Sequence, residues 1–192
     1  MPEWKLPVRP QWLLAMVVVA AFVPWWLYTN YGERRARTTL ELHTPFARPL
    51  LEMRFSKRIY YDPQTFVGRG RSTGYWEWTP EGLTLTEKGR LYFHESGEDF
   101  VTAAPIGRRA IASIRSVQEA PPGYAVTFKY TWTEVAEPAS KLLPTPPKKD
   151  AEYEGTATLA EEGGVWKVKD LKTPDLEKPL AIVLHQATGA RR

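Results

Sequence analysis

Tyr124-Ala-Val-Thr-Phe-Lys-Tyr-Thr-Trp-Thr-Glu-Val135 places Tyr124, Val126, Phe128, Tyr130 and Trp132 on one side of an extended chain and Ala125, Thr127, Lys129, Thr131 and Thr133 on the other. Strict period-two alternation of this kind marks a β-strand that buries one face and wets the other. Working backward, Ala110-Ile-Ala-Ser-Ile-Arg-Ser-Val-Gln118 reads as its partner, with Pro121-Pro-Gly123 reversing the chain into a long hairpin. Working forward, Tyr153-Glu-Gly-Thr-Ala-Thr-Leu-Ala160, a tight turn at Glu161-Glu-Gly-Gly164 and Val165-Trp-Lys-Val-Lys169 form a second hairpin. Two adjacent hairpins predict one four-stranded antiparallel meander.

Upstream the pattern breaks into shorter pieces. Gly74-Tyr-Trp-Glu-Trp78 alternates, Thr79-Pro-Glu-Gly82 turns, Leu83-Thr-Leu85 resumes an extended chain, and Thr86 with Glu87 forms a cap before a helix expected from Lys88 to His94. The Thr86-to-Leu91 corner, with its extended pair just before it, resembles the wing-to-helix corner of winged-helix domains. Between Thr44 and Ile59, Thr44-Pro45 opens a helix, the first reading, while Leu51, Met53 and Phe55 alternate as the end of a strand, the second. Gly68-Arg-Gly-Arg-Ser-Thr-Gly74 lacks the lysine of a phosphate-binding P-loop and reads as a mobile surface loop. Residues 137–150 carry four prolines and read as an extended excursion between strands. Leu180-Ala-Ile-Val-Leu184 reads as one more strand or a short docking helix, before a flexible tail over 186–192. The fold class that follows is α+β: an extrinsic domain over 45–192, with a mainly antiparallel sheet packed on one or two helices. In general layout, helical material followed by a long-stranded meander resembles cystatin-like and NTF2-like small domains.

Gln11-Trp-Leu-Leu-Ala-Met-Val-Val-Val-Ala-Ala-Phe-Val-Pro-Trp-Trp-Leu-Tyr28 holds no charge. A helix rises about 1.5 Å per residue, so roughly 20 such positions cross a hydrocarbon core of about 30 Å. Trp4 and Trp12 lead the block while Trp25, Trp26 and Tyr28 close it, the two-belt placement that amphipathic rings take at membrane interfaces. The expectation is a short tail over 1–10, a transmembrane helix over 11–31 and a juxtamembrane connector over 32–44. Val18 and Ala20 also have the spacing that a signal peptidase accepts, and an uncleaved signal anchor is the favoured reading. Lys5 and Arg9 on one side nearly balance Arg34, Arg35 and Arg37 on the other. A short leading tail with a long exported domain then points to a single pass in a bacterial-type inner membrane, with the C-terminal domain periplasmic.

The chain of 192 residues has 26 Lys plus Arg against 22 Asp plus Glu, but residues 1–37 hold five of the bases and two of the acids. What remains is 21 against 20, which argues against a nucleic-acid partner, because binding phosphates needs a concentrated basic face. Arg34, Arg35 and Arg37 are expected to meet lipid headgroups or a partner subunit. With no cysteine, there is no disulfide framework, thiolate nucleophile or cysteine metal site. His43, His94 and His185 lack a second ligand at metal-binding spacing, the acids beside His94 (Glu95, Glu98, Asp99) read as a solvated run, and no Gly-x-Ser-x-Gly elbow occurs. Neither a cofactor nor a catalytic role is expected.

Aromatic residues make 12% of the chain. Tyr130, Trp132 and Trp166 suit a small two-layer core, and Tyr75, Trp76 and Trp78 are either core or the candidate protein interface, since Trp and Tyr dominate binding energy at interfaces. The function expected from these features is that of a non-catalytic, membrane-anchored accessory or assembly subunit of a respiratory, photosynthetic or secretion complex. Its partners would be the lipid bilayer, other integral membrane subunits and an extrinsic subunit. The alternative is a free-standing periplasmic binding domain for an apolar ligand or an envelope polymer.

Overall fold

The computed structural model describes residues 31–189. Helix α1 (residues 31–42) and the single turn α2 (Thr44–Ala47) lead into β1 (Leu50–Ser56), α3 (Phe66–Ser72), the hairpin β2 (Trp76–Thr79) and β3 (Gly82–Leu85), and the turn α4 (Glu87–Arg90). Strands β4 (Phe93–Ser96), β5 (Asp99–Pro105), β6 (Gly107–Ala120) and β7 (Gly123–Val135) follow, then α5 (Glu137–Leu142), β8 (Glu152–Glu162), β9 (Val165–Lys172) and α6 (Pro174–Gly189). The domain is α+β, and every strand pairing within its sheets is antiparallel.

The expected meander is present as a four-stranded sheet in the order β6-β7-β8-β9. Its second turn is tight because Gly163 and Gly164 sit at φ 60 and 79, the left-handed conformation that a two-residue hairpin matched to strand twist requires. A three-stranded sheet, β1-β5-β4, and the β2-β3 hairpin stand apart from it. The two larger sheets meet at Ile106, whose N–H donates to Pro49 and whose carbonyl accepts from Ala136.

Several short-range expectations are corrected. Thr44–Ile59 holds both of its readings in succession, one helical turn and then β1, whose Leu51, Met53 and Phe55 are the buried parity. The Thr86 hydroxyl does accept from the Gly89 N–H at 3.1 Å, but the helix it caps lasts one turn before β4 begins at Phe93. The Gly68–Gly74 stretch is no surface loop: it supplies most of α3, and Gly68 and Gly70 are buried. A Cβ on Gly70 would lie 1.9 Å from the Trp76 ring, so only glycine lets this helix approach, and the Trp76 indole N–H then donates to the Val67 carbonyl at 2.8 Å. The proline-rich stretch opens with α5, and Leu180–Leu184 lies within α6, whose Leu176, Val183 and Ala187 form the buried stripe.

Two apolar cores result. One gathers β1, α3, the small hairpin, β4, β5, α5 and α6, with Phe55 packed between Phe66 at 5.0 Å and Trp76 at 5.4 Å. The other lies between α1, α2 and the four-stranded sheet, where Ala36, Leu40 and Phe46 cover Val126, Phe128, Tyr130 and Leu159. Residues 32–44, read from sequence as a connector, therefore include helix that is part of the domain. Strand β7 runs through both cores, since Tyr130 belongs to the second and Trp132 to the first. Among the described residues no helix is long and apolar enough to cross a membrane. The stretch 11–28 and the aromatics Trp4, Trp12, Trp25, Trp26 and Tyr28 lie outside the described residues.

Candidate functional site

Arg35 and Arg37, which follow the apolar stretch, both reach across to the four-stranded sheet. Arg35 donates to Glu161 at 3.2 Å and to the Gly164 carbonyl, and its guanidinium lies 4.8 Å from the centre of the Trp166 ring. Arg37 donates to the carbonyls of Ile111 at 2.7 Å and Ala112 at 3.2 Å, beside a bulge in β6. Arg34 lies on the exposed side of α1. Of the aromatic trio, Tyr75 and Trp76 have no exposure at all and belong to the core, because Phe93 and Phe55 enclose them. Trp78 alone is exposed, at 39%, beside Tyr61 at 5.7 Å. His94 is exposed, and its acidic neighbours are paired: Glu95 with Lys57, Glu98 with Arg58 and Asp99 with Arg54. No group of three potential metal ligands occurs among the described residues.

The concentration of buried polar chemistry lies elsewhere, at the junction of the two cores. Arg109 shares the inward parity of Ile111 on β6, and its guanidinium sits 5.0 Å from the Phe46 ring, 5.3 Å from Tyr130 and 5.0 Å from Trp132. Its Nε donates to the Phe46 carbonyl at 2.9 Å and Nη2 to that of Pro45 at 3.3 Å, while Nη1 is buried without an acceptor. Asp175, in the first turn of α6 where the helix dipole favours an anion, accepts from the Tyr130 hydroxyl and from the Trp132 indole at 2.7 Å. Burial pulls the Arg109 pKa below its ordinary value, opposed by Tyr130 and Asp175, and burial pushes the Tyr130 phenol up, with Asp175 adding to the rise. Sequence reasoning missed Arg109 and Asp175. The available signal was a charged residue on the apolar parity of a strand, one position before the segment read as extended.

Two open grooves lie on the surface, the second of them bordering this junction. One, of about 610 Å³, runs between α1 and β9 past Arg35, Thr38, Leu42, His43, Val165 and Trp166. Burial holds the His43 pKa below its ordinary value, so this groove presents a neutral imidazole near pH 7. The other, of about 480 Å³, is lined by Arg109 and by Pro45, Leu50, Leu171, Leu176 and Leu180. No family model, characterised protein or solved structure matches the chain. The site therefore stands on its own geometry: an aromatic-walled guanidinium on β6 that holds α2, and an Asp175 carboxylate that holds α6 to β7, beside an apolar groove. Such a cluster can hold elements in place and offer a donor to an acceptor.

Proposed function

We propose that this protein is a non-catalytic, membrane-anchored accessory subunit that stabilises a larger membrane complex, with a single helix in the lipid and an aromatic-rich extrinsic domain outside it. The observation that carries the reading is the uncharged, aromatic-flanked stretch Gln11–Tyr28, followed within three residues by a helix that is part of a folded domain. The expected setting is a bacterial-type inner membrane with the domain on the periplasmic side. The polar clusters support a structural role: Arg35, Arg37, Arg109 and Asp175 all join one element to another. Exposed Trp78, Tyr60 and Leu91 supply surface for an extrinsic partner. Membranes washed with high salt and with carbonate should retain the chain. Gentle detergent extraction, native gel and mass spectrometry should then find it at fixed stoichiometry with integral subunits; a monomer under every mild detergent sinks the accessory role.

A second reading, an anchored binding domain for an apolar molecule with a carboxylate or carbonyl head, is favoured by one observation. Arg109 keeps a buried N–H without an acceptor next to a leucine-lined groove. Titration with a fluorescent fatty acid separates the two readings, because saturable binding that Arg109→Met abolishes belongs to the binding domain only.

A further inference from the structure

Resting on the proposed anchor, the geometry points to the end of the domain that meets the phospholipid headgroups: the one formed by the β6–β7 and β8–β9 turns. Chain reach sets the first constraint. Only Thr29 and Asn30 separate Tyr28 from Tyr31, so the start of α1 lies within about 10 Å of the end of the apolar stretch, however those residues are arranged.

The contacts of α1 then fix which part of the sheet lies beside that start. A Cβ added to Gly32 would meet Val117 at 3.9 Å, and one turn later Arg35 holds Glu161 and the Gly164 carbonyl. Val117 lies near the tip of the first hairpin, which closes at Ala120 opposite Gly123, and the second closes at Glu162 opposite Val165. Since Gly123 also pairs with Ala160, both turns lie at the same end of the sheet. From there α1 and α2 follow β6 away from the turns, through Arg37 on Ile111 to the Phe46 carbonyl on Arg109. Val117 to Arg109 covers about 25 Å of strand at roughly 3.3 Å per residue, and beyond Arg109 begins the corner that leads to the smaller sheet.

The chemistry of this end suits the headgroup layer. Tyr31 is 62% exposed and Val165 60% exposed, and Pro121, Pro122 and Tyr124 complete a small apolar rim that Arg34 and Lys167 accompany. Glu33 and Glu119 lie here as well, while Glu161 is paired with Arg35 and Glu162 with Lys167 and Lys169. Aromatic and cationic groups with apolar stems are the side chains that partition to this layer. Tyr60 and Leu91, both strongly exposed, flank the smaller sheet, Tyr60 after β1 and Leu91 before β4, and are expected to stand clear of lipid.

The chain has no cysteine, so single cysteines can be placed in the full-length protein at Val165→Cys and Lys167→Cys on the turn end, and at Tyr60→Cys and Leu91→Cys beside the smaller sheet. Each variant is labelled with an environment-sensitive dye and reconstituted into phosphatidylethanolamine–phosphatidylglycerol vesicles containing a headgroup spin-labelled lipid. Unaltered far-UV circular dichroism verifies each fold. The expected result is several-fold stronger quenching at Val165→Cys and Lys167→Cys than at the other two positions. Equal quenching everywhere, or stronger quenching at Tyr60→Cys or Leu91→Cys, overturns the assignment while the anchor stands. Failure of the unlabelled full chain to float with the vesicles overturns the anchor itself, and the assignment with it.

Discussion

Tyr75 and Tyr130 are both fully buried, yet their hydroxyls have opposite prospects on removal. The Tyr75 hydroxyl has no partner, so Tyr75→Phe removes a desolvated polar group and is expected to leave stability unchanged or raise it by about 1 kcal/mol. Tyr130→Phe takes a donor from Asp175 and should cost about 1–3 kcal/mol, and Asp175→Ala, which strips Tyr130 and Trp132 of their acceptor beside a buried guanidinium, about 3–5 kcal/mol. Urea midpoints of the detergent-solubilised chain rank the three. Burial pushes both phenols above their ordinary pKa of 10.0, for Tyr75 with Glu137 adding to the rise. Above about pH 10 the unfolded chain releases protons that the folded chain retains, so the native state binds more protons and stability falls as pH rises. Each such tyrosine adds about 1.4 kcal/mol per pH unit to that fall. Urea melts between pH 9 and 11 should show it, and Tyr75→Phe should flatten the slope by an amount that grows through this range and approaches one proton at its upper end; an unchanged slope contradicts the burial argument.

At the scale of elements, legibility in the sequence follows from whether local pattern and tertiary packing agree. Strands β6 to β9 were readable because alternation, Pro121-Pro-Gly123 and Gly163-Gly164 all specify the same register, which the structure repeats at Ala120 opposite Gly123 and Glu162 opposite Val165. The Glu162 carboxyl, held down to about 2 by hydrogen bonds from Lys167 and Lys169, reinforces that turn at an exposed site where screening keeps the gain small. Helix α3 was not readable. Its sequence, Phe66-Val-Gly-Arg-Gly-Arg-Ser72, has two glycines that local propensity assigns to a loop, and a helix there is sustained by tertiary packing, including that on Trp76, a residue four positions past its end. Arg109 and Asp175 were hidden for the same reason, since neither has a local pattern that announces its partners, which lie 63 and 64 residues from Arg109 and 45 and 43 from Asp175. Gly70→Ala is the discriminating substitution. It raises intrinsic helix propensity by about 1 kcal/mol, yet places a methyl inside the Trp76 ring, so it should destabilise by about 3 kcal/mol or more. Thermal melts read the sign, and a stabilised Gly70→Ala would show that α3 does not pack on Trp76.

For the whole molecule, the question is where the folded unit begins. The sequence separates an apolar block from a domain and assigns the residues between them to a connector, because Arg34, Arg35 and Arg37 look like membrane-flanking charges. Packing instead makes those residues part of the domain, since Ala36 and Leu40 have no exposure, and Arg35 and Arg37 reach across to β8, the β8–β9 turn and the β6 bulge. The second core would lose one wall without α1, exposing apolar area around Ile111, Val126, Leu159 and Trp166 at about 25 cal/mol per Å². A chain that starts at Tyr31 should therefore fold, melt cooperatively and stay in the aqueous fraction. A chain that starts at Thr44 should lack the cooperative transition and aggregate, although it removes only residues that the sequence assigns to the anchor and its connector. Circular dichroism melts and gel filtration of the two truncations decide the point. Equal stability of both would mean that α1 merely rests on the sheet and that the lipid-facing end cannot be inferred from its contacts.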